Sequence, residues 1–172
     1  AQSQRNQTLR ELDEINKALS RDNIKCIFLK GSAYQVGGFQ CHYGRLQSDI
    51  DVLVDKKDLK EAEFSLMKAG WLGTVVDDYD EKYYRTWMHE IPPLAHVSRQ
   101  TVLDLHHNIL PLTNKDVINP NDLILDTKEH TYCGSVSVLS EFDLIIHSSV
   151  HLFTESEFHN GLRDLSDLDL LL

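Results

Sequence analysis

Two aspartates one residue apart, Asp49 and Asp51, have the residue type and spacing that metal chemistry requires. They lie in segment 48–54, where acids alternate with apolar residues, and this alternation predicts a short β-strand. Successive side chains of a strand point to opposite faces, so both carboxylates project from one face. Adjacent carboxylates repel each other, and Mg²⁺ relieves that repulsion because it prefers oxygen ligands. The pair indicates a metal site, with two solvated acids at a strand end as the alternative.

A turn formed by Lys30, Gly31 and Ser32 follows the largely apolar segment 24–29, which is predicted to be a strand. Ser32 and Gln35 have the spacing of a capping box, so a short helix is expected to begin here. Backbone N–H groups at a helix start bind phosphate, and Gly31 lets a ligand approach the backbone closely. The turn is therefore a candidate seat for the terminal phosphates of a nucleoside triphosphate, although most Gly-Ser turns are only turns.

A third carboxylate, Asp104, lies in the second arm of a predicted hairpin whose strands cover segments 94–97 and 101–106. Asp104 and His106 share one face of that arm. Two acids on one strand and a third on a neighbouring strand can bind two Mg²⁺ ions about 3.5–4 Å apart, with Mn²⁺ as an alternative ion. This arrangement suits in-line phosphoryl displacement.

Taken together, these residues resemble a known superfamily. The Lys-Gly turn at Lys30, the Asp-x-Asp strand at 49–51 and the lone aspartate are similar to the DNA polymerase β-type nucleotidyltransferases. The resemblance is strongest to a bacterial family with a Lys-Gly turn, an Arg-x-x-x-Asp-x-Asp core that begins here at Arg45, and a later Asp-x-His at 104–106. It extends from about residue 24 to the C-terminal helices.

The resemblance implies a fold and a reaction. The fold is of the α+β class, with a mixed central sheet flanked by helices and followed by C-terminal helices. The reaction is Mg²⁺-dependent transfer of an NMP group from an NTP to a hydroxyl group of an acceptor. That acceptor could be a small molecule, a sugar, a protein side chain or an RNA end.

The resemblance also implies residue roles. Asp49 and Asp51 would bind both metal ions, and Asp104 would complete the catalytic metal site and help to deprotonate the acceptor hydroxyl. Gly31 and Ser32 would seat the β and γ phosphates. The implied nucleotide-binding set comprises Lys30, Gly31, Ser32, Arg45 and His106.

Two other function classes fit the same residues. One is a non-catalytic nucleotide-binding or interaction module on the same fold, although such a module need not retain all three aspartates. The other is a phosphohydrolase that uses the same carboxylates. The Lys-Gly-Ser turn at residues 30–32 favours a triphosphate-dependent transferase over the hydrolase.

Composition limits the partners and the setting. The chain has 172 residues, and its 27 acidic against 17 basic side chains give a net charge of −10, which disfavours an extended nucleic-acid interface. Three scattered cysteines and the absence of a long apolar run favour a reduced, cytoplasmic protein. We expect a catalytic domain over residues 1–139. Residues 140–172 would be a helical segment that begins a longer helical region.

Nine histidines raise the question of further metal ligands. His147 and His151 have the i, i+4 spacing of a zinc pair, but no His-Glu-x-x-His motif contains them, so a structural or surface role is predicted. His89 and His96 are expected to have no part in the site. His107 should point away from the face that carries Asp104.

Helix signals occur at five positions: Thr8, Ser32, Asp58, Ser140 and a point near Gly161. The pattern between them predicts an acidic turn at 77–81, a β-like region over 82–108 and a loop over 108–121. Short strands are predicted at 75–76 and 136–138.

Overall fold

The computed structural model describes residues 2–43, 47–74, 77–115, 118–131, 135–154 and 161–172. Seven strands occur in this part of the chain: β1 (Ile27–Phe28), β2 (Asp49–Leu53), β3 (Trp71–Gly73), β4 (Leu94–His96), β5 (Val102–His106), β6 (Thr127–Thr131) and β7 (Ser135–Leu139). The α-helices found there are α1 (Gln2–Ser20), α2 (Lys30–Gly37), α3 (Leu59–Lys68), α4 (Asp78–Trp87), α5 (Pro120–Leu125), α6 (Glu141–Thr154) and α7 (Gly161–Leu171).

The strands form one mixed sheet in the order β3-β4-β5-β2-β1-β7-β6. The central pair, β2 and β5, is parallel, while β1 is antiparallel to β2 and parallel to β7. The predicted class, a mixed sheet flanked by helices, is confirmed. The hairpin of β4 and β5 is also confirmed, because these strands pair antiparallel across a short connection.

Apolar side chains of the two central strands anchor the sheet. Ile50 and Val52 of β2 and Leu103 and Leu105 of β5, which share the face opposite the acids, are buried. Each such side chain contributes about 1.5–3 kcal/mol to folding when it leaves water. This burial fixes which side chains of β2 and β5 face the core and therefore which face carries the acids.

The first helix begins earlier than its sequence signal predicts. Helix α1 begins at Gln2, so Thr8 lies inside it and the predicted cap at Thr8 is wrong. Thr8 and Glu11 have the spacing of a capping box, in which the Glu11 side chain would reach back to the backbone of Thr8. Instead a Glu11 carboxylate oxygen pairs with the Arg99 guanidinium at 2.6 Å.

The predictions for 77–81 and for the start of 82–108 are wrong, because α4 occupies Asp78–Trp87. Asp77 caps this helix by accepting a hydrogen bond from the Asp80 backbone N–H at 2.8 Å. The Tyr79 and Tyr83 rings stack one turn apart, which shows the helical period that the run of aromatics concealed.

The later elements agree only in part with prediction. Helix α6 follows Ser140 as expected, and the Ser140 hydroxyl accepts from the Asp143 N–H at 3.3 Å. The predicted strand at 136–138 is confirmed within β7. The predicted loop ends early, because Pro120 starts α5, and β6 has no counterpart among the predictions. The strand predicted at 75–76 lies outside the described residues.

None of the helices in the described ranges combines the length and the apolar character that crossing a membrane requires.

Gly70 ends α3 with a backbone φ of +96°, a conformation that L side chains rarely adopt. A Cβ there would also lie 3.0 Å from Nε2 of His96. We therefore expect Gly70→Ala to lower the free energy of unfolding by about 1–3 kcal/mol in denaturant titrations. Gly73→Ala is the matched control, because its Cβ would meet no atom within 4 Å, and we expect a change within about 0.5 kcal/mol. Equal effects of the two substitutions would contradict this account.

Candidate active site

Lys30 connects the start of α2 to Asp51 of strand β2. Its backbone φ is +46°, an uncommon conformation for a residue with a side chain, and its ammonium group lies 2.9 Å from Oδ1 of Asp51. The Leu29 N–H donates to the Asp51 carbonyl oxygen at 3.0 Å, which holds the end of β1 against β2. Helix α2 thus begins at Lys30, and the predicted cap at Ser32 is wrong.

Asp51 is a buried carboxylate held between two nitrogen groups. Only 3% of the residue is exposed, and Nε2 of His106 lies 3.1 Å from the same Oδ1 that Lys30 contacts. Burial acts to raise the pKa of Asp51, but the Lys30 ammonium and His106 outweigh it and hold that pKa below its ordinary range. Asp51 is therefore ionised in the folded protein.

Asp104 lies beside Asp51 across the parallel strand pair, because the register pairs these two residues. Burial, and next the negative charge of Asp51 and of Glu90, raise the pKa of Asp104 to about 7. Asp49 lies two residues before Asp51 on β2 and is half-buried, and its Oδ1 accepts a hydrogen bond from the Ser48 hydroxyl at 3.1 Å. The three aspartates predicted from the sequence thus lie on two paired strands.

These carboxylates fit a divalent cation by their chemistry. They supply the oxygen ligands that Mg²⁺ prefers, and a bound cation would offset the burial and the neighbouring negative charges that raise the pKa of Asp104. In the described residues, the carboxylate oxygens of the three aspartates do not all lie within 4.8 Å of one another. A different group of side chains meets that distance condition. Lys30 already supplies one positive charge to Asp51.

The candidate phosphate seat is covered. Gly31 and Ser32 are buried at the start of α2, and the Gln47 side-chain amide donates to the Ser32 hydroxyl at 3.5 Å. The first N–H groups of a helix have no partner within it, so an anion that displaces Gln47 would meet them. Arg45, which the sequence places in the same site, lies outside the described residues.

A polar cavity of about 200 Å³ lies on the side of Asp49 that faces α1. Its wall includes Gln7, Glu11, Ser48, Asp49 and Arg99. Glu11 is 3% exposed; one of its oxygens binds Arg99, whereas Oε2 is buried without a hydrogen-bond partner. Glu11 was not predicted as a site residue, because its spacing from Thr8 is that of a capping box.

The histidines divide between the site and the core. His106 contacts Asp51 through Nε2 at 3.1 Å. His147 is buried in α6, where burial, and next the positive charges of Lys30 and His106, lower its pKa. His96 packs against the Trp71 ring and accepts from the Ser98 N–H, a structural role.

His89 and Glu90 were not predicted as site residues, but both lie next to His106. Glu90 forms an antiparallel bridge with His106, and the rings of His89 and His106 lie 5.3 Å apart. The signal was the adjacent pair His89-Glu90, but only its pairing with β5 brings it to His106.

Lys30→Met tests whether Lys30 occupies the place of a cation at Asp51. Breaking a buried ion pair costs about 3–5 kcal/mol, so without metal the variant should have a lower melting temperature than the wild type. Mg²⁺ should then raise the melting temperature of the variant more than that of the wild type, because the ammonium no longer competes for Asp51. Lys60→Met, at an exposed position of α3, is the control. An equal Mg²⁺ response in wild type and Lys30→Met would exclude this competition.

Comparisons with known proteins agree with the architecture. A family model described as an uncharacterised nucleotidyltransferase matches residues 1–172. No curated protein matches the chain. Among solved structures, ANT(2'')-Ia in complex with adenylyl-2''-tobramycin aligns with a TM-score of 0.64 at 12% identity, over 95% of this chain and 86% of that chain.

Two further solved structures have the same fold. The lincomycin-bound lincosamide antibiotic adenylyltransferase LnuA aligns with a TM-score of 0.58 at 17% identity, over 95% of this chain and 97% of that one. An antigenic nucleotidyltransferase-like protein from Paracoccidioides brasiliensis aligns with a TM-score of 0.58 at 12% identity, over 95% and 74%. These similarities establish the nucleotidyltransferase fold, and because the family model matches all 172 residues, the chain belongs to the uncharacterised nucleotidyltransferase family.

Proposed function

We propose that this protein is an Mg²⁺-dependent nucleotidyltransferase that transfers an NMP group from an NTP to a hydroxyl group of a small polar molecule. One observation carries the proposal: the parallel pairing of β2 with β5 sets Asp51 opposite Asp104, at the side of the sheet where α2 begins. Acids and a phosphate seat at one place are what transfer from a triphosphate requires.

The triphosphate would bind at the start of α2. Its β and γ phosphates would accept from the Gly31 and Ser32 N–H groups after they displace the Gln47 amide from Ser32. Lys30 would give its ammonium to the same phosphates. Arg45, four residues before Asp49 in the sequence, would add a second cation, and His106 would keep Asp51 in place through their 3.1 Å contact.

Asp49, Asp51 and Asp104 would hold the metal ions, with Mg²⁺ as the physiological ion and Mn²⁺ as a substitute. When bound, such ions neutralise charge on the transferring phosphoryl group and on the departing pyrophosphate. The residues supply the oxygens for them. Asp51 would exchange its contact with the Lys30 ammonium for this role.

Asp104 would remove the proton from the acceptor. As a carboxylate beside the acceptor hydroxyl, it would accept the proton that the hydroxyl loses while the new bond forms. The acceptor oxygen would bond to the α-phosphorus while the bond from that phosphorus to the bridging oxygen breaks. The hydroxyl proton would pass to Asp104, and pyrophosphate would leave.

The acceptor would occupy the cavity between Asp49 and α1. Its wall is polar, and the buried Glu11 oxygen without a hydrogen-bond partner favours a ligand with hydroxyl or ammonium donors. Antibiotics named with two of the structural neighbours, tobramycin and lincomycin, belong to those proteins. For this chain we infer only an acceptor of comparable polarity. Residues 1–139 would be the catalytic domain, and residues 140–172 would be a C-terminal helical segment.

One observation favours a non-catalytic module instead. The Lys30 ammonium already neutralises Asp51, as would suit a site that binds nucleotide without metal. Nucleotide binding that is independent of Mg²⁺ and of Asp104 would support this second candidate.

The transfer reaction can be tested with each α-labelled NTP, Mg²⁺ and a set of polar hydroxyl compounds, or a small-molecule cell extract. We expect label to move from the NTP to an acceptor. Asp51→Asn and Asp104→Asn should lower that rate by about 10²–10³-fold or more, because each removes charge that stabilises the transition state.

Asp78→Asn, at an exposed position of α4, is the matched control and should retain the rate. Label recovered only as free phosphate or free NMP would identify a hydrolase. Binding of NTP without any turnover would identify the non-catalytic module.

A further inference from the structure

A second group of metal-binding side chains lies beside the aspartates: His89, Glu90 and His106. One ligand atom of each lies within 4.8 Å of the other two. The carbonyl of His89 accepts from the His107 N–H at 2.8 Å, and the Ile91 N–H donates to the Leu105 carbonyl at 3.1 Å. These backbone bonds fix the His89-Glu90 segment against β5, so the three side chains are held together by the sheet.

His106 has one ring nitrogen for each neighbour. Its Nε2 lies 3.1 Å from Asp51, and its Nδ1 lies 3.3 Å from Oε2 of Glu90. The second contact does not have the geometry of a hydrogen bond, and Nδ1 has no hydrogen-bond partner although the residue is 2% exposed. A buried ring nitrogen in this state requires an explanation.

A tetrahedral metal centre accounts for the separation between Nδ1 of His106 and Oε2 of Glu90. Zn²⁺ binds imidazole nitrogen and carboxylate oxygen at about 2.0–2.2 Å, so two ligand atoms of a tetrahedral site lie about 3.3–3.5 Å apart. The observed 3.3 Å between Nδ1 of His106 and Oε2 of Glu90 matches this value. Rotation of the half-buried His89 ring would complete a set of three ligands with an open fourth position.

The ligand chemistry separates this group from the aspartates. Two imidazoles and one carboxylate suit Zn²⁺ and related transition ions, whereas Mg²⁺ prefers oxygen ligands alone. Among the residues that the structure describes, this is the group that meets the distance condition.

We propose that His89, Glu90 and His106 form a transition-metal site, of the kind that binds Zn²⁺, next to the carboxylate site. A metal on Nδ1 requires the ring proton to be on Nε2, so His106 would donate a hydrogen bond to Asp51. Asp51 would thereby orient a metal-binding histidine, as carboxylates do around zinc. The site goes beyond the proposed transfer reaction and does not depend on it.

Metal binding to the full chain tests the proposal without an activity assay. Metal-free protein is titrated with Zn²⁺ against a chromogenic chelator and separately with Co²⁺, whose visible absorption reports a tetrahedral environment. We expect the wild type to bind one ion per chain. His89→Gln and Glu90→Gln should each weaken binding by at least about tenfold, since the loss of even an outer partner has that effect.

His151→Gln is the control, because this residue forms the i, i+4 pair with His147 on α6, with ring centroids 6.4 Å apart. It should bind Zn²⁺ as the wild type does, and excess Mg²⁺ should not displace the ion. Circular dichroism establishes that the variants are folded.

Several results would overturn the proposal. They are equal Zn²⁺ affinity in wild type, His89→Gln and Glu90→Gln, loss of binding in His151→Gln, displacement of Zn²⁺ by Mg²⁺, or no binding to the wild type. Failure of the transfer assay alone would leave this site unaffected, because its readout is the bound ion.

Discussion

The parallel pairing of β2 with β5 concentrates negative charge inside the protein. It sets Asp51 beside Asp104 on one face of the sheet, and the side chains that these strands present on the other face are buried. Burying carboxylates is costly unless positive groups or protons compensate them. Neighbouring side chains compensate one carboxylate, and a raised pKa compensates the other. The chemistry open to the site depends on this difference.

The two acids are compensated in different ways. Asp51 holds its charge because Lys30 and His106 contact it, whereas burial, and next the negative charges of Asp51 and Glu90, raise the pKa of Asp104 to about 7. This asymmetry gives one permanent anion and one group that can exchange a proton near neutral pH. His106 also lies 3.3 Å from Glu90, so it connects Asp51 to the side chains of the proposed transition-metal site.

Local features of the sequence predicted much of the site, and non-local contacts account for what was missed. The period of two in 49–51 and the hairpin around Asp104 are local patterns, so the strands and the class of fold were predictable. The approach of Glu90 to His106 depends on strand register, which no local pattern encodes. Helix α4 was missed because its many aromatic residues favour a strand and outweighed the cap at Asp77. Strand β6 was missed because its polar sequence lies at the sheet edge.

The central claim is that Asp49, Asp51 and Asp104 together bind the catalytic metal. It is tested most directly by a crystal structure with Mn²⁺ and a non-hydrolysable NTP, in which anomalous scattering locates the ion. The account predicts an ion in contact with all three carboxylates, with Lys30 moved from Asp51 to the phosphates. An ion bound elsewhere, with the 2.9 Å contact of Lys30 to Asp51 unchanged, would contradict it.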